Sequence, residues 1–134
     1  MNELARIETV IHLQRVDLFM ACDAEQILRI SAIAGQTRFD PGDALFKAND
    51  PADALYCVVR GKVEVVNGDG DRSVVEAPGT LGVTEILSGR LRTHNATALE
   101  ETLVLALDAE DFFDLLANNI EIVRSLFRQL LSTQ

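Results

Sequence analysis

The segment 86–99 carries the residues of this chain best suited to hold an anion. It contains no Asp or Glu, while Arg90, Arg92 and His94 alternate with hydroxyl and amide side chains. An Arg guanidinium can hold two phosphate oxygens in a fork, and a Thr hydroxyl and nearby amides can bind the remaining oxygens. Residues 82–87 can form a short helical turn whose amides point at such an anion. From residue types alone, a loop with two arginines is usually solvated surface, and a small-anion site is the alternative interpretation.

Other residue constellations that carry chemistry are missing from the sequence. The only two histidines, His12 and His94, fall on different predicted elements and cannot supply the clustered ligands of a metal-dependent barrel enzyme. Cys57 stands in an apolar run and is interpreted as a small buried hydrophobe, and Cys22 as equally inert. The run 67–71 has alternate polar positions but lacks the Gly and Glu of a calcium loop, which indicates an acidic hairpin turn. We predict no catalytic residues, no metal site and no enzyme.

Composition limits the classes of protein further. The chain has 134 residues, 48% of them hydrophobic, which fits one globular domain. Its net charge of −9 repels a nucleic-acid backbone, so we expect no direct nucleic-acid binding. No apolar run approaches the roughly 20 residues that a bilayer span needs, and no export signal opens the chain. With two cysteines and no disulfide framework, we predict a cytoplasmic domain without membrane insertion.

The glycines and prolines divide the chain into three parts. All 8 Gly and all 3 Pro lie between Gly35 and Gly89, which leaves both ends free of helix breakers. We therefore predict an N-terminal helical segment over 1–35, a β-barrel over 36–108 and C-terminal helices over 109–134.

Helical periodicity supports both ends of this division. Asp23, with Gln26 three residues on, is typical of a capping box and predicts a helix that Gly35 would stop. Asn119 is expected to cap the last helix, which would cover the barrel or pair with a copy of itself. The expected apolar stripes are Leu4, Ile7, Val10 and Ile11 in the first helix, Ile27, Ile30, Ile33 and Ala34 in the second, and Ile120, Val123, Phe127, Leu130 and Leu131 in the last.

Short apolar or alternating runs between Pro and Gly turns predict strands in the middle part. β-branched residues such as Val63, Val65 and Val74 favour this interpretation, and the density of runs indicates a sandwich or a small barrel. The predicted strands are 44–47, 55–59, 62–66, 73–76 and 103–107.

Two stretches of the sequence carry a family pattern. Residues 45–65, LFKANDPADALYCVVRGKVEV, resemble the first half of a cyclic nucleotide-binding domain, which reads I-F-x-E-G-D-P-x-D-x-L-Y-x-V-x-x-G-x-V-x-V. Residues 91–112 resemble its second half, P-R-[ST] with a later Ala, a strand and L-D-x-x-D-F. The spacing of ten positions between Gly82 and Arg92 matches that of the family's phosphate-binding cassette. The resemblance spans essentially the whole chain and implies an eight-stranded jelly-roll barrel with N-terminal and C-terminal α-helices.

The resemblance also implies a ligand, cyclic AMP or cyclic GMP, and no other cofactor. Its phosphate would be held by Arg92 and Thr93 with the turn that follows Gly82. Where the family has a Glu that accepts from the ribose 2′-hydroxyl, this chain has Val83, and Glu85 is the candidate substitute. Leu91 replaces the customary Pro before the arginine. The implied ligand-binding residues are Gly82, Val83, Thr84, Glu85, Arg92 and Thr93.

Two functional hypotheses follow from this resemblance. In the first, the chain is a regulatory sensor similar to those of catabolite activators and protein-kinase regulatory subunits, and it signals a bound phosphate ligand through its C-terminal helix. In the second, it is a ligand-free structural or dimerisation module. Val123, Phe127 and Leu130 are the expected lid or homodimer contacts. Because the sequence contains no effector, we expect it to act in trans or to be part of a longer protein.

Overall fold

Residues 5–132 are described by a computed structural model of the chain. They form five helices and eight strands, with a single 3-10 turn at Asp17–Phe19. The helices are α1 (Arg6–Gln14), α2 (Ala24–Ile33), α3 (Val83–Ser88), α4 (Ala109–Asn118) and α5 (Ile120–Ser132). The strands are β1 (Gly35–Phe39), β2 (Ala44–Phe46), β3 (Ala54–Arg60), β4 (Lys62–Asn67), β5 (Arg72–Glu76), β6 (Gly79–Leu81), β7 (His94–Ala98) and β8 (Thr102–Asp108).

The strands form two four-stranded antiparallel sheets. One sheet has the order β1-β8-β3-β6 and the other the order β2-β7-β4-β5. Consecutive strands often lie in different sheets, as in a jelly roll, where chain crossings close two sheets around one interior. The predicted fold class, a mainly β jelly roll with flanking helices, is confirmed, although the two sheets are not joined into one closed barrel. The β region starts at Gly35 rather than at residue 36.

Strands β3 and β8 are apolar on both faces because each face meets a different core. Val58 and Val104 lie between the two sheets, together with Phe46 and Val63. Their neighbours along the strands point the other way and pack against α1, α2, α4 and α5. This helix-side core includes Leu55, Cys57, Leu103, Leu105, Leu107, Phe112 and Ile122. A short, unbroken apolar run is therefore the sequence pattern that a doubly buried strand requires.

The five predicted strands are all present, and three more join them. The missed strand β1 lies at a sheet edge and pairs only with β8, so its residues are mostly exposed and give no apolar alternation. In the missed strand β7 the inward positions are the small Ala96 and Ala98, both buried. Strand β6 has three residues. Each of these strands lacks the bulky apolar pattern from which strands are predicted.

The capping box of α2 is confirmed. The Gln26 backbone N–H donates to the Asp23 carboxylate at 2.8 Å, and the Asp23 N–H donates to the Gln26 side-chain oxygen at 2.7 Å. The helix ends at Ile33 with Ala34 as its C-cap, so Gly35 directly follows the cap as predicted. Gly35 is extended and begins β1, and it does not form a left-handed cap. Asn119 precedes α5 as expected, but its side chain bonds Gln26 and the carbonyl of Leu115 instead of capping the helix.

The predicted apolar stripe of α1 is largely exposed. The predicted stripe of α5 lies outside the helix-side core, and its pairing with a copy of itself remains a prediction. In α1, Ile7 is 67% exposed while Thr9 and Leu13 are buried, and Leu4 lies outside the described residues. In α5 the buried residues are Ile122, Ser125 and Leu126, which form the face toward the 3-10 turn and the helix-side core. The exposed apolar residues of α5 are Ile120, Phe127, Leu130 and Leu131.

Two further properties bear on the sequence predictions. Cys57 is fully buried, and burial raises the pKa of its thiol to about 12, which confirms its interpretation as an inert core residue. Burial raises the pKa of Cys22 to about 11. Among residues 5–132 there is no helix that is both long and apolar enough to cross a membrane.

Candidate ligand site

The backbone of Arg92 is fixed by the turn before β3. The Arg92 N–H donates to the carbonyl of Asp50 at 2.8 Å, and the Asn49 N–H donates to the carbonyl of Arg92 at 2.7 Å. Asn49 has a φ of 75°, a left-handed conformation that Asn tolerates better than most residues. The Asn-Asp-Pro turn therefore holds the start of the β7 segment in place, so that the direction of the Arg92 side chain is set by two distant parts of the sequence.

The Arg92 side chain is buried although it carries a full positive charge. Only 2% of the residue is exposed. Its two terminal nitrogens donate to backbone carbonyls, one to Gly82 at 2.8 Å and the other to Ala54. Its Cζ lies 4.4 Å from the ring centroid of Phe46, a cation–π contact. These contacts hold the guanidinium rigidly between the cassette and β3.

The carboxylate of Glu85 lies between Arg92 and Thr93. Glu85 is on α3 and only 7% exposed. One of its oxygens is 3.5 Å from a terminal nitrogen of Arg92, and the other accepts a 2.9 Å hydrogen bond from the Thr93 hydroxyl. The same Thr93 oxygen is 2.8 Å from Nδ1 of His94. The two residues predicted to hold a phosphate thus already share an anion that belongs to the protein.

Gly82 allows the guanidinium to approach α3. Its φ of 85° places it in the left-handed region, where glycine is favoured. A Cβ at this position would collide with the Arg92 guanidinium and would lie 3.1 Å from its Cζ. Gly82 therefore contributes to the site in two ways. Its lack of a side chain leaves room for the guanidinium, and its carbonyl accepts a hydrogen bond from Arg92.

The remaining predicted cassette residues do not join this cluster. Val83 is partly buried and packs against the helix-side core, and Thr84 is exposed. Glu85, the candidate ribose acceptor, uses both carboxylate oxygens for Arg92 and Thr93. Of the six residues predicted to bind ligand, the structure therefore brings together four, which are Gly82, Glu85, Arg92 and Thr93.

One donor of Arg92 is left over. Its Nε is buried and has no hydrogen-bond partner among the residues that the structure describes. An unsatisfied buried donor costs roughly 1–3 kcal/mol, because the group has lost its water without gaining an acceptor. The guanidinium therefore retains one N–H that an acceptor could still satisfy.

An acidic cavity of about 570 Å³ borders the Arg92 site. Ala54, whose carbonyl accepts from Arg92, also lines this cavity, and Tyr56 beside it stacks on Phe46 with 6.1 Å between ring centroids. Burial, and secondarily the charge of Asp53, raises the pKa of Tyr56. The acidic residues of the wall are Asp53, Asp108, Glu110 and Asp111. These carboxylates give the cavity a negative potential, which disfavours an anion there.

The predicted lid or dimer residues line a second, apolar groove. It has a volume of about 330 Å³ and joins Leu87 of α3 to side chains of α4 and α5. Val123, Phe127 and Leu130 all border it. The cassette helix and the C-terminal helix are therefore neighbours across one apolar surface.

Comparison with known sequences agrees with this geometry. The sequence profile described as "Cyclic nucleotide-binding domain" matches residues 36–119, which is more than half of the chain. This chain belongs to the cyclic nucleotide-binding domain family. The matched region contains both sheets except Gly35, and it contains the whole Gly82–Thr93 cassette.

Relatives and solved structures show the same family and fold. A cGMP-dependent 3',5'-cGMP phosphodiesterase A of Dictyostelium discoideum is 25% identical over 86% of this chain and 13% of its own length. The N-terminal domain of a transcriptional regulator from Streptomyces coelicolor is 33% identical, with a TM-score of 0.75, over 90% of this chain and 91% of that one. A regulatory subunit of a cAMP-independent protein kinase A from Trypanosoma brucei has a TM-score of 0.84 at 20% identity, covering 96% of this chain and 46% of that one.

This cyclic nucleotide-binding domain corresponds to a minor part of the curated relatives. It spans between 13% and 28% of their lengths.

Sequence reasoning missed three contributors to the Arg92 site. They are the Phe46 ring, the Ala54 carbonyl and the Asn49–Asp50 turn. Backbone carbonyls leave no residue-type signal, and Phe46 is indistinguishable in sequence from an ordinary core aromatic. The Asn49–Asp50 turn contacts a residue some forty positions later, and that contact depends on the sheet pairing of β2 with β7.

Proposed function

We propose that this chain is the non-catalytic, ligand-sensing regulatory domain of a larger protein, and that its ligand is a small molecule bearing a phosphate, such as a cyclic nucleotide. The observation that carries the proposal is the Glu85 carboxylate between Arg92 and Thr93. A buried cation and a hydroxyl that converge on one anion form a site with the donors that phosphate oxygens require. The family membership supports a sensing role but leaves the ligand open.

The unsatisfied Nε of Arg92 supports the same proposal. A phosphate that carries two acceptor oxygens can accept from Nε and from a terminal nitrogen together, which is the forked geometry that Arg favours. Binding would then satisfy a donor that has no partner within residues 5–132. A ligand that satisfies this donor removes that cost, which favours binding.

The closeness of α3 to α5 supports signalling through the C-terminal helix. Glu85 and Leu87 lie on the same short helix, and Leu87 borders the apolar groove with Val123 and Phe127. A ligand that moves Glu85 would move α3 and would change the packing of α5. The contacts of α5 would then differ between the ligand-bound and the ligand-free state. A ligand can shift a conformational equilibrium only through such a difference.

A binding titration tests the proposed ligand. The wild-type chain is titrated with cyclic AMP and cyclic GMP, and the titrations are repeated with Arg92→Lys and with the matched control Arg90→Lys. Lys keeps the charge but loses the fork, so we expect at least a tenfold weaker affinity for Arg92→Lys and no change for the exposed Arg90. Bound ligand at 100 times Kd should stabilise the wild type by about 2.7 kcal/mol in a melting experiment.

Two results would overturn the proposal for cyclic nucleotides. One is the absence of heat and of any melting shift at millimolar ligand. The other is an equal loss of affinity in Arg92→Lys and Arg90→Lys, because this would mean that the ligand responds to the general charge of the segment and not to the buried guanidinium.

A second candidate function, a dimerisation module, is favoured by the outer face of α5. Phe127 and Ile120 are 60% exposed and Leu131 is 67% exposed. Large apolar side chains in a contiguous exposed patch are typical of protein–protein contacts. Sedimentation of the wild type, of Phe127→Ser and of the control Phe113→Ser on α4 tests this function. We expect a dimer that Phe127→Ser alone dissociates, and a wild-type monomer at high concentration would exclude it.

A further inference from the structure

We infer that Glu85 is an internal competitor for the anion site, so that a phosphate ligand binds only when the Glu85 carboxylate leaves Arg92 and Thr93. The inference rests on the proposed function, because it concerns the regulation of that same site. It differs from a ribose-binding role for Glu85, since the carboxylate faces the two residues predicted to hold the phosphate.

The Thr93 hydroxyl cannot donate to both anions at once. The Thr93 hydroxyl has a single O–H, and it already donates to Glu85. Both terminal nitrogens of Arg92 are engaged by the carbonyls of Gly82 and Ala54, and one of them faces Glu85 as well. A phosphate that accepts from the Thr93 hydroxyl therefore displaces the Glu85 carboxylate, which loses its 2.9 Å hydrogen bond to that hydroxyl.

Charge leads to the same conclusion. Arg92 and Glu85 are both buried and together neutral. A cyclic phosphate adds a second negative charge, so that one buried guanidinium would face two anions. Burial penalises an excess charge, because the interior cannot solvate it as water does. The acidic cavity next to Ala54 adds to the penalty.

Tethering gives Glu85 the advantage over a free ligand. The carboxylate is attached to α3, and its effective concentration at Arg92 lies in the millimolar range or above, as for other intramolecular partners. A free ligand at micromolar concentration competes poorly with such a partner. The domain should therefore respond only to a ligand whose other contacts compensate for the displacement of Glu85, and removing the carboxylate should raise the affinity for any phosphate ligand.

The test compares wild type with Glu85→Gln, Glu85→Ala and the exposed control Glu100→Gln by calorimetric titration. The probes are cyclic AMP, cyclic GMP, inorganic phosphate and adenosine. Glu85→Gln keeps an oxygen that can accept from Thr93 but removes the charge, so it decides the question if Glu85→Ala does not fold. We expect at least tenfold tighter binding of a cyclic nucleotide to Glu85→Gln, no change for Glu100→Gln, and no gain for adenosine, which lacks the anion. A gain for inorganic phosphate alone would identify free phosphate as the anion source.

The outcomes separate this inference from the proposed function. If wild type and Glu85→Gln bind equally, or neither binds, the inference is wrong. If the wild type binds through Arg92 and Glu85→Gln binds no tighter, the proposed function stands without the inference. If only Glu85→Gln binds, the competitor role holds while the native domain is not a sensor of the nucleotides tested. A gain for adenosine equal to that for cyclic AMP would also overturn the inference, because it would indicate general opening of the site.

Discussion

Two charged regions of this domain lie side by side, and they differ in whether their charges are buried against the protein or exposed to solvent. Around Arg92 the charge is buried and each partner belongs to the protein. In the neighbouring cavity Asp53, Asp108 and Glu110 are exposed to solvent and face open space. Ala54 separates the two regions and contributes to both. The difference shows where charge determines structure in this fold and where it only sets the local potential.

The energetic consequences differ accordingly. Removing one member of a buried pair leaves the other without solvent and without its partner, so the loss is large. Removing an exposed carboxylate changes an interaction that water and salt already screen. We therefore expect equal changes of charge to have very unequal effects on the two sides of Ala54.

The largest effect is expected for Arg92→Ala. The substitution leaves the Glu85 carboxylate buried with the Thr93 hydroxyl as its remaining partner in the cluster, and it empties the space above Phe46. Removing one partner of a buried ion pair costs about 3–5 kcal/mol. Urea unfolding should show this loss for Arg92→Ala and almost none for the exposed Arg90→Ala. Equal losses in the two variants would contradict the buried pair as the source of the stability.

A smaller effect is expected for Gly82→Ala. Gly82 and Gly70 share a left-handed φ, 85° and 84°, but a Cβ at Gly70 would meet open space while one at Gly82 would meet Arg92. Both variants should lose roughly 1–2 kcal/mol from backbone conformation. Gly82→Ala should lose a further 1–3 kcal/mol or so, because the guanidinium must move. If the double variant Gly82→Ala with Arg92→Ala is no better tolerated than the sum of the single ones, the clash is not with Arg92.

Phe46→Leu is expected to have a moderate effect. The ring lies under Arg92 and stacks on Tyr56, which borders the acidic cavity, so this residue joins the two regions. Leu keeps most of the apolar volume but removes the cation–π contact, which contributes roughly 0.5–2 kcal/mol. A double-mutant cycle with Arg92→Met, which removes the cation but keeps a long side chain, measures the coupling. Additive losses would mean that the ring acts only as core packing.

The sequence predicted the polar site better than the helix faces. Arg92 and Thr93 stand out because they lie in an acid-free segment of an acidic chain, and Gly82 follows from its spacing to Arg92. The buried face of α1 was misjudged, and the sequence did not decide that of α5, because each helix carries apolar residues on more than one side, and only the tertiary contacts decide which side is covered. Periodicity alone contains no information on the position of the neighbouring elements.

The role of Glu85 lay outside what the sequence could show, for a related reason. Its residue type was noted, but its direction depends on the left-handed turn at Gly82 and on the clamp of Arg92 by the Asn49–Asp50 turn. A carboxylate in a segment predicted to hold an anion counts against binding when only composition is considered. In the folded domain the Glu85 carboxylate is itself the anion that contacts Arg92 and Thr93.

The smallest effect is expected in the acidic cavity, for Glu110→Gln. Glu110 is exposed and lies in the first turn of α4, where a negative charge interacts favourably with the helix dipole by about 0.3–1 kcal/mol. Its repulsion by Asp53 and Asp108 across the cavity opposes this gain. The two terms nearly cancel, so the stability should change by about 0.5 kcal/mol or less, as for most exposed substitutions. Urea unfolding at low and high salt measures the net effect of the two terms, because salt weakens the repulsion and the dipole interaction together. A loss comparable to that of Arg92→Ala would mean that the cavity charge is structural and would remove the contrast between the two regions.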